Sequence, residues 1–98
     1  MTGNPLDFLA TLETVIRERR GASPDTSYTA SLFAAGTRRI AQKLGEEAVE
    51  LALAASAGDR DEQLGEAADL LYHLLVLLAD RDLALADAVG VLEARHRG

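Results

Sequence analysis

The chain has 98 residues, no cysteine and a formal net charge of −6. That length holds a single domain, residues 1–98, and little else, and the missing thiols exclude disulfides, thiolate metal sites and a cysteine nucleophile. The acidic balance opposes nucleic-acid binding, because phosphates are repelled, but it leaves room for a small phosphorylated ligand held through a metal or a local basic patch.

Hydrophobic residues make up 48% of the chain, yet only Phe8, Tyr28, Phe33 and Tyr72 are aromatic. The remainder is largely Ala and Leu, both strong helix formers, and only Pro5 and Pro24 interrupt them. This composition predicts an all-α protein. The start of the chain, Met1 to Glu13, lacks the basic flank and apolar stretch of a signal peptide. Asn4 can cap a first helix with Pro5 in its opening turn. Leu6, Leu9, Leu12, Val15 and Ile16 follow at helical spacing, and Arg17, Arg19 and Arg20 before Gly21 mark its end, where cations complement the helix dipole. Gly21 to Thr26 reads as a loop.

A short second helix runs from Ser27 to Gly36. Thr37 then caps a long third helix carrying Ile40, Leu44, Ala48, Leu51 and Ala55 on one face. Gly45 inside it costs about 1 kcal/mol relative to Ala, which points to close approach by a neighbour or ligand. Ser56 to Arg60 forms a turn with Asp59 as cap of a fourth helix. That helix ends in the apolar run Leu70 to Ala79, about half the length that spans a bilayer. Asp80-Arg81-Asp82 breaks the chain before a fifth helix over about Leu85 to Arg95. The expectation is a soluble, cytoplasmic protein without membrane contact. Because the fourth helix is apolar nearly all round from Leu70 to Leu78, it needs cover on every side. A second copy of the chain can supply it as a homodimer; a compact monomer with this helix at its centre is the alternative.

The chemistry-bearing residues lie on helices three and four. Helix three carries E-E-x-x-E (Glu46, Glu47, Glu50) and helix four E-x-x-D (Glu66, Asp69). Residues three or four apart share a helix face, and a short turn sets the two helices antiparallel. Counted from that turn, Glu50 lies about as far back as Glu66 lies forward, so four carboxylates meet across one seam. Crowded like charges repel unless a counter-charge intervenes, and oxygen-only ligands suit Mg²⁺ or Mn²⁺. Four or five acids suggest more than one ion, or metal plus a general base. The competing reading is a set of solvated acids paired with Lys43 or Arg39. His73, four residues after Asp69, either approaches this site or is a buried, hydrogen-bonded core residue. Arg38, Arg39 and Lys43 give helix three a basic beginning that a substrate phosphate would offset, unless they are ordinary surface charges. Tyr72 reads as a packing residue with its hydroxyl at a wet edge.

The run S-Y-T-A-S-L-F-A-A-G-T-R-R-I-A-Q-K-L-G-E-E-A-V-E (Ser27 to Glu50), followed by E-A-A-D-L-L-Y-H-L-L-V-L-L (Glu66 to Leu78), resembles the phosphoribosyl-ATP pyrophosphohydrolases of histidine biosynthesis. These belong to the MazG-like all-α nucleoside triphosphate pyrophosphohydrolase superfamily. The similarity extends from about Pro5 to Arg97, with no departure in either acidic motif. It implies a helical bundle of about four to five helices assembled as a homodimer, which binds an ATP-derived nucleotide. It further implies Mg²⁺-dependent cleavage of phosphoribosyl-ATP between its α and β phosphorus atoms to phosphoribosyl-AMP and pyrophosphate. By motif position Glu47, Glu50, Glu66 and Asp69 would be metal ligands, and Glu46 a further ligand or the water-activating base, with Glu47 beside it as a catalytic residue. Arg39 and Lys43 are the candidate substrate-binding cations. The cyclohydrolase fused to some family members has no room in this length. Three rivals stand beside this expectation: a house-cleaning hydrolase of noncanonical or deoxy nucleoside triphosphates, a di-iron carboxylate bundle, and a non-catalytic dimerisation module. The di-iron site would need Glu-x-x-His, whereas the single His here follows an acid by four.

Overall fold

The computed structural model describes residues 3–97. Five α-helices follow one another, with no strand among the described residues: α1 Asp7–Glu18, α2 Tyr28–Ala35, α3 Thr37–Ala57, α4 Arg60–Asp80 and α5 Leu85–Arg97. The all-α expectation holds. No helix among the described residues is long and apolar enough to cross a membrane.

Local chemistry explains most boundaries. Ser27 caps α2 by accepting from Ala30 N at 3.1 Å, and Asp59 caps α4 by accepting from Glu62 N at 2.9 Å; each satisfies an otherwise unpaired first-turn donor. Two starts differ from expectation. Pro5 lies in a preceding turn, and α1 begins only at Asp7. Asn4 still contributes, because its side chain accepts from Leu6 N at 2.9 Å while Asp7 accepts from Asn4 N at 3.1 Å. Thr37 is no cap: it is the first residue of α3, and Gly36, with φ 97°, makes the turn that a residue with a Cβ would resist. The Thr37 hydroxyl donates instead to Asp80 at 2.6 Å.

That bond joins the first residue of α3 to the last of α4, so the two long helices run antiparallel. Gly58 closes the turn between them. Its N–H donates to Ala54 O at 2.7 Å, and a Cβ there would sit 2.8 Å from the same oxygen. No neighbour within the chain approaches Gly45, since nothing among the described residues lies within 4 Å of where its Cβ would be.

The core gathers Ile16 of α1, Leu32 of α2, Ile40 of α3, and Leu75, Val76 and Ala79 of α4. Full burial of each large aliphatic side chain stabilises by roughly 1.5–3 kcal/mol. Arg20 ties the remote end down. The helix it serves is α4 rather than its own, as it donates to Ala79 O at 2.9 Å, Asp80 O at 3.1 Å and Asp82 Oδ1 at 2.9 Å. Asp82 turns the chain with φ 58°, a conformation that Asp tolerates better than most residues. The apolar run of α4 is only partly covered: His73, Leu75, Val76 and Ala79 are buried, whereas Leu71 remains 43% exposed.

Candidate metal and substrate site

The seam between α3 and α4 brings together most of the acids that the motifs single out. Carboxylate oxygens of Glu47, Glu66 and Asp69 all lie within 4.8 Å of one another. Glu50 joins them, since it raises the carboxyls of both Glu47 and Glu66. Glu47 sits deepest, at 8% exposure, and its Oε1 is buried with no donor among the described residues. An unpaired buried carboxylate is costly. The protein responds as physics requires: a hydrogen bond with Glu50 that needs one partner protonated, then burial, then the charges of Glu50 and Asp69 push Glu47 up from 4.5 to about 7, against a smaller opposing pull from Lys43. Glu66 is also raised, by loss of water first and then by Glu50 and Asp69.

Glu46 lies elsewhere. It is exposed on a neighbouring face, with Oε1 3.5 Å from Lys43 Nζ and Oε2 accepting from Gln42 at 3.2 Å. The structure therefore separates Glu46 from the other four acids. Lys43 is half-buried beside Glu46 and close enough to Glu47 to lower its carboxyl. Arg39 is exposed one turn earlier and enters no ion pair among the described residues.

His73 is buried at 5% exposure with both ring nitrogens engaged. Nδ1 faces the carbonyl of Asp69 at 2.8 Å, and a carbonyl only accepts, so Nδ1 carries the proton. Nε2 then accepts from the Tyr28 hydroxyl at 3.1 Å. The neighbouring ring of Tyr72 meets His73 edge-on at 5.0 Å between centroids, and its hydroxyl bonds Thr29. The packing role expected of Tyr72 is met, though its hydroxyl finds a side chain.

Sequence reasoning did not single out Tyr28. It lies 45 residues from His73, so no local spacing connects them; only the packing of α2 on α4 does. It also passed over Glu62, which lies one turn before Glu66 at the mouth of the seam and adds to the raising of Glu66.

Oxygen-only donors, an orphaned buried carboxylate oxygen and acids crowded into a partly protonated state all fit a hard divalent cation.

A family model described as phosphoribosyl-ATP pyrophosphohydrolase matches residues 9–96. The chain is 57% identical over 90 residues to the histidine biosynthesis bifunctional protein HisIE of Vibrio cholerae serotype O1, covering 92% of this chain and 43% of that protein. Against the protein of the same name from Shewanella oneidensis it is 56% identical over 97 residues, 99% of this chain and 46% of the relative. The Escherichia coli O157:H7 protein is 58% identical over 90 residues, 92% of this chain and 44% of its own length. The chain thus spans less than half the length of these curated relatives. Motif, fold and comparison converge: the chain belongs to the phosphoribosyl-ATP pyrophosphohydrolase family.

Proposed function

We propose that the chain hydrolyses phosphoribosyl-ATP to phosphoribosyl-AMP and pyrophosphate in histidine biosynthesis, by attack of water at the α–β anhydride with Mg²⁺, or Mn²⁺ in its place. The observation that carries this reading is the convergence of Glu47, Glu66 and Asp69 within 4.8 Å of one another, with Glu47 Oε1 buried and without a partner among the described residues. Glu47, Glu50, Glu66 and Asp69 hold the metal. Once bound, the ion supplies Lewis acidity toward phosphate oxygens and toward water.

The protein's own groups do the rest. The buried Glu47 carboxylate is held by the rigid α3–α4 pair and loses little on engaging the ion. Lys43, one turn from Glu47, and Arg39 beyond it face the anionic end of the substrate. Glu46 stands apart from these metal ligands, beside Lys43. To act as base it must take a proton from water at the seam while leaving Lys43, and comparing Glu46→Gln with Glu50→Gln measures whether it does.

Exposed apolar side chains on α3 and α4, namely Val49, Leu64 and Leu71, support a homodimer in which a second copy covers them. A cytoplasmic location follows from the proposed pathway. The deciding experiment is pyrophosphate release from phosphoribosyl-ATP, with ATP and deoxynucleoside triphosphates in parallel, each with and without Mg²⁺. Magnesium-dependent release from phosphoribosyl-ATP well above the others is expected. Preference for a deoxynucleoside triphosphate would transfer the chain to the house-cleaning activity.

A further inference from the structure

The seam has two chemically different ends. Lys43 lies one turn before Glu47 on α3, and Glu62 lies one turn before Glu66 on α4; because the helices run antiparallel, these two residues flank the acid group on opposite sides. Beyond the Glu62 side the seam opens into a cleft of about 320 Å³. It shares Glu50 and Glu66 with the acid group and continues over Leu53, Ala54 and Ala57 to Glu62. Its floor is apolar, and its rim carries a carboxylate that belongs to no ion pair among the described residues.

Two features make that rim specific. The Glu62 carboxylate lies over Gly58, where a Cβ would come within 3.1 Å of its Oε2. The glycine that closes the helical turn thus also leaves the carboxylate room at the cleft mouth. Glu62 further stands one turn, about 6 Å, from Glu66, which is the reach of a sugar between a phosphate held at Glu66 and a base. The positive end of α4 does not require Glu62, because Asp59 caps it and Asp61 shares its first turn.

A carboxylate beside a metal-and-phosphate site repels an ordinary anionic nucleotide. It attracts one whose base is a cation. Phosphoribosyl-ATP carries its extra ribose on N1 of adenine, and alkylation at N1 makes adenine a much stronger base, so the ring takes up a proton near neutral pH. We propose that this cleft binds the N1-substituted purine as its cation, stacked over Leu53, Ala54 and Ala57 and facing Glu62, with the pyrophosphate end of the substrate directed toward Lys43. Glu62 is then a specificity residue. It favours an N1-substituted adenine over adenine itself, using both an opposite charge and an apolar floor that welcomes a planar ring.

The inference rests on the proposed hydrolysis, and its test separates the two. Binding of N1-methyladenosine 5′-monophosphate and of AMP is measured calorimetrically on the full chain with Mg²⁺. Wild type is expected to favour the N1-methyl nucleotide about fivefold, the upper range for an exposed ion pair. Glu62→Gln removes that preference chiefly by weakening the N1-methyl nucleotide, and Leu53→Lys, which places a cation over the cleft, does the same. Equal affinities in wild type, or a preference that survives both substitutions, overturn the proposal. Pyrophosphate release from phosphoribosyl-ATP by the same wild-type preparation tells the failures apart: with release intact only the base site falls, and without it the proposed function falls as well.

Discussion

Glu47 and His73 stand side by side at the closed end of the seam, with Glu47 Oε2 3.8 Å from His73 Nδ1. The pair is not a strong ion pair. The His73 proton points at the Asp69 carbonyl at 2.8 Å, and the other Glu47 oxygen has no donor among the described residues. A buried carboxylate is therefore packed against an imidazole whose Nδ1 is directed at the Asp69 carbonyl and does not satisfy it. That dissatisfaction is a property of the metal-free protein, and it can be measured.

Substituting Glu47→Gln removes the uncompensated charge while keeping the shape. The metal-free variant should melt above wild type near pH 8, because wild type there buries an ionised carboxylate. Added Mg²⁺ should stabilise wild type and leave the variant almost unmoved, and turnover should fall at least 100-fold, beyond the ~10–100-fold typical of partners outside the metal's direct ligands. Thermal melts with and without Mg²⁺, alongside steady-state kinetics, read all three.

The pH dependence follows from the same group. Below pH 4.5 folded and unfolded chains both hold the Glu47 proton; between 4.5 and about 7 only the folded chain does. Unfolding then releases a proton, so stability falls as pH rises through that window and levels off above it. The upward shift of Glu66 acts in the same direction. In EDTA, melting temperature should decline from pH 5 to pH 7, and saturating Mg²⁺ should cancel the decline. A rising curve in EDTA would contradict the upward shift assigned to the Glu47 carboxyl.

Glu50→Gln and Asp69→Asn should nearly abolish turnover with the helical circular dichroism spectrum intact. Glu46→Gln, on the separate face with Lys43, should cost less if it only positions that lysine. An equal loss in Glu46→Gln would establish it as the base. Arg39→Ala and Lys43→Ala should raise KM more than they lower kcat; an unchanged KM in both would return them to surface charge.

Tyr28→Phe leaves the buried Nε2 of His73 without its donor. The expected cost is ~1 kcal/mol, which in a chain of this size lowers the melting temperature by roughly 4–8 °C. Tyr72→Phe gives the comparison, since its hydroxyl serves Thr29 and not the histidine.

Arg20→Ala removes three acceptor contacts at the end of α4 and should lower stability by about 1 kcal/mol. Arg20 lies at the opposite end of α4 from Glu66, so kcat per folded molecule should hold. Chemical denaturation and kinetics on one preparation separate the two effects.

Much of this was legible in the sequence because helices are written in local spacing. The apolar repeat of α1, the start of α2 near Ser27, the cap Asp59, the break at Asp80 to Asp82 and the pairing of Glu47 and Glu50 with Glu66 and Asp69 all depend on residues a turn apart or on two helices joined by a short turn. What spacing could not decide was anything requiring distant segments to meet. It could not assign Thr37 to Asp80, aim Arg20 at α4 or bring Tyr28 onto His73. Spacing set four acids on one seam but left the role of Glu46 open, because adjacent positions on a helix differ by about 100° and only the packed structure shows Glu46 exposed beside Lys43. The acidic motifs came from the sequence alone. Which carboxylate lacks a partner, and which end of the seam is basic or acidic, was decided by tertiary structure, because burial and proximity exist only once the helices have packed.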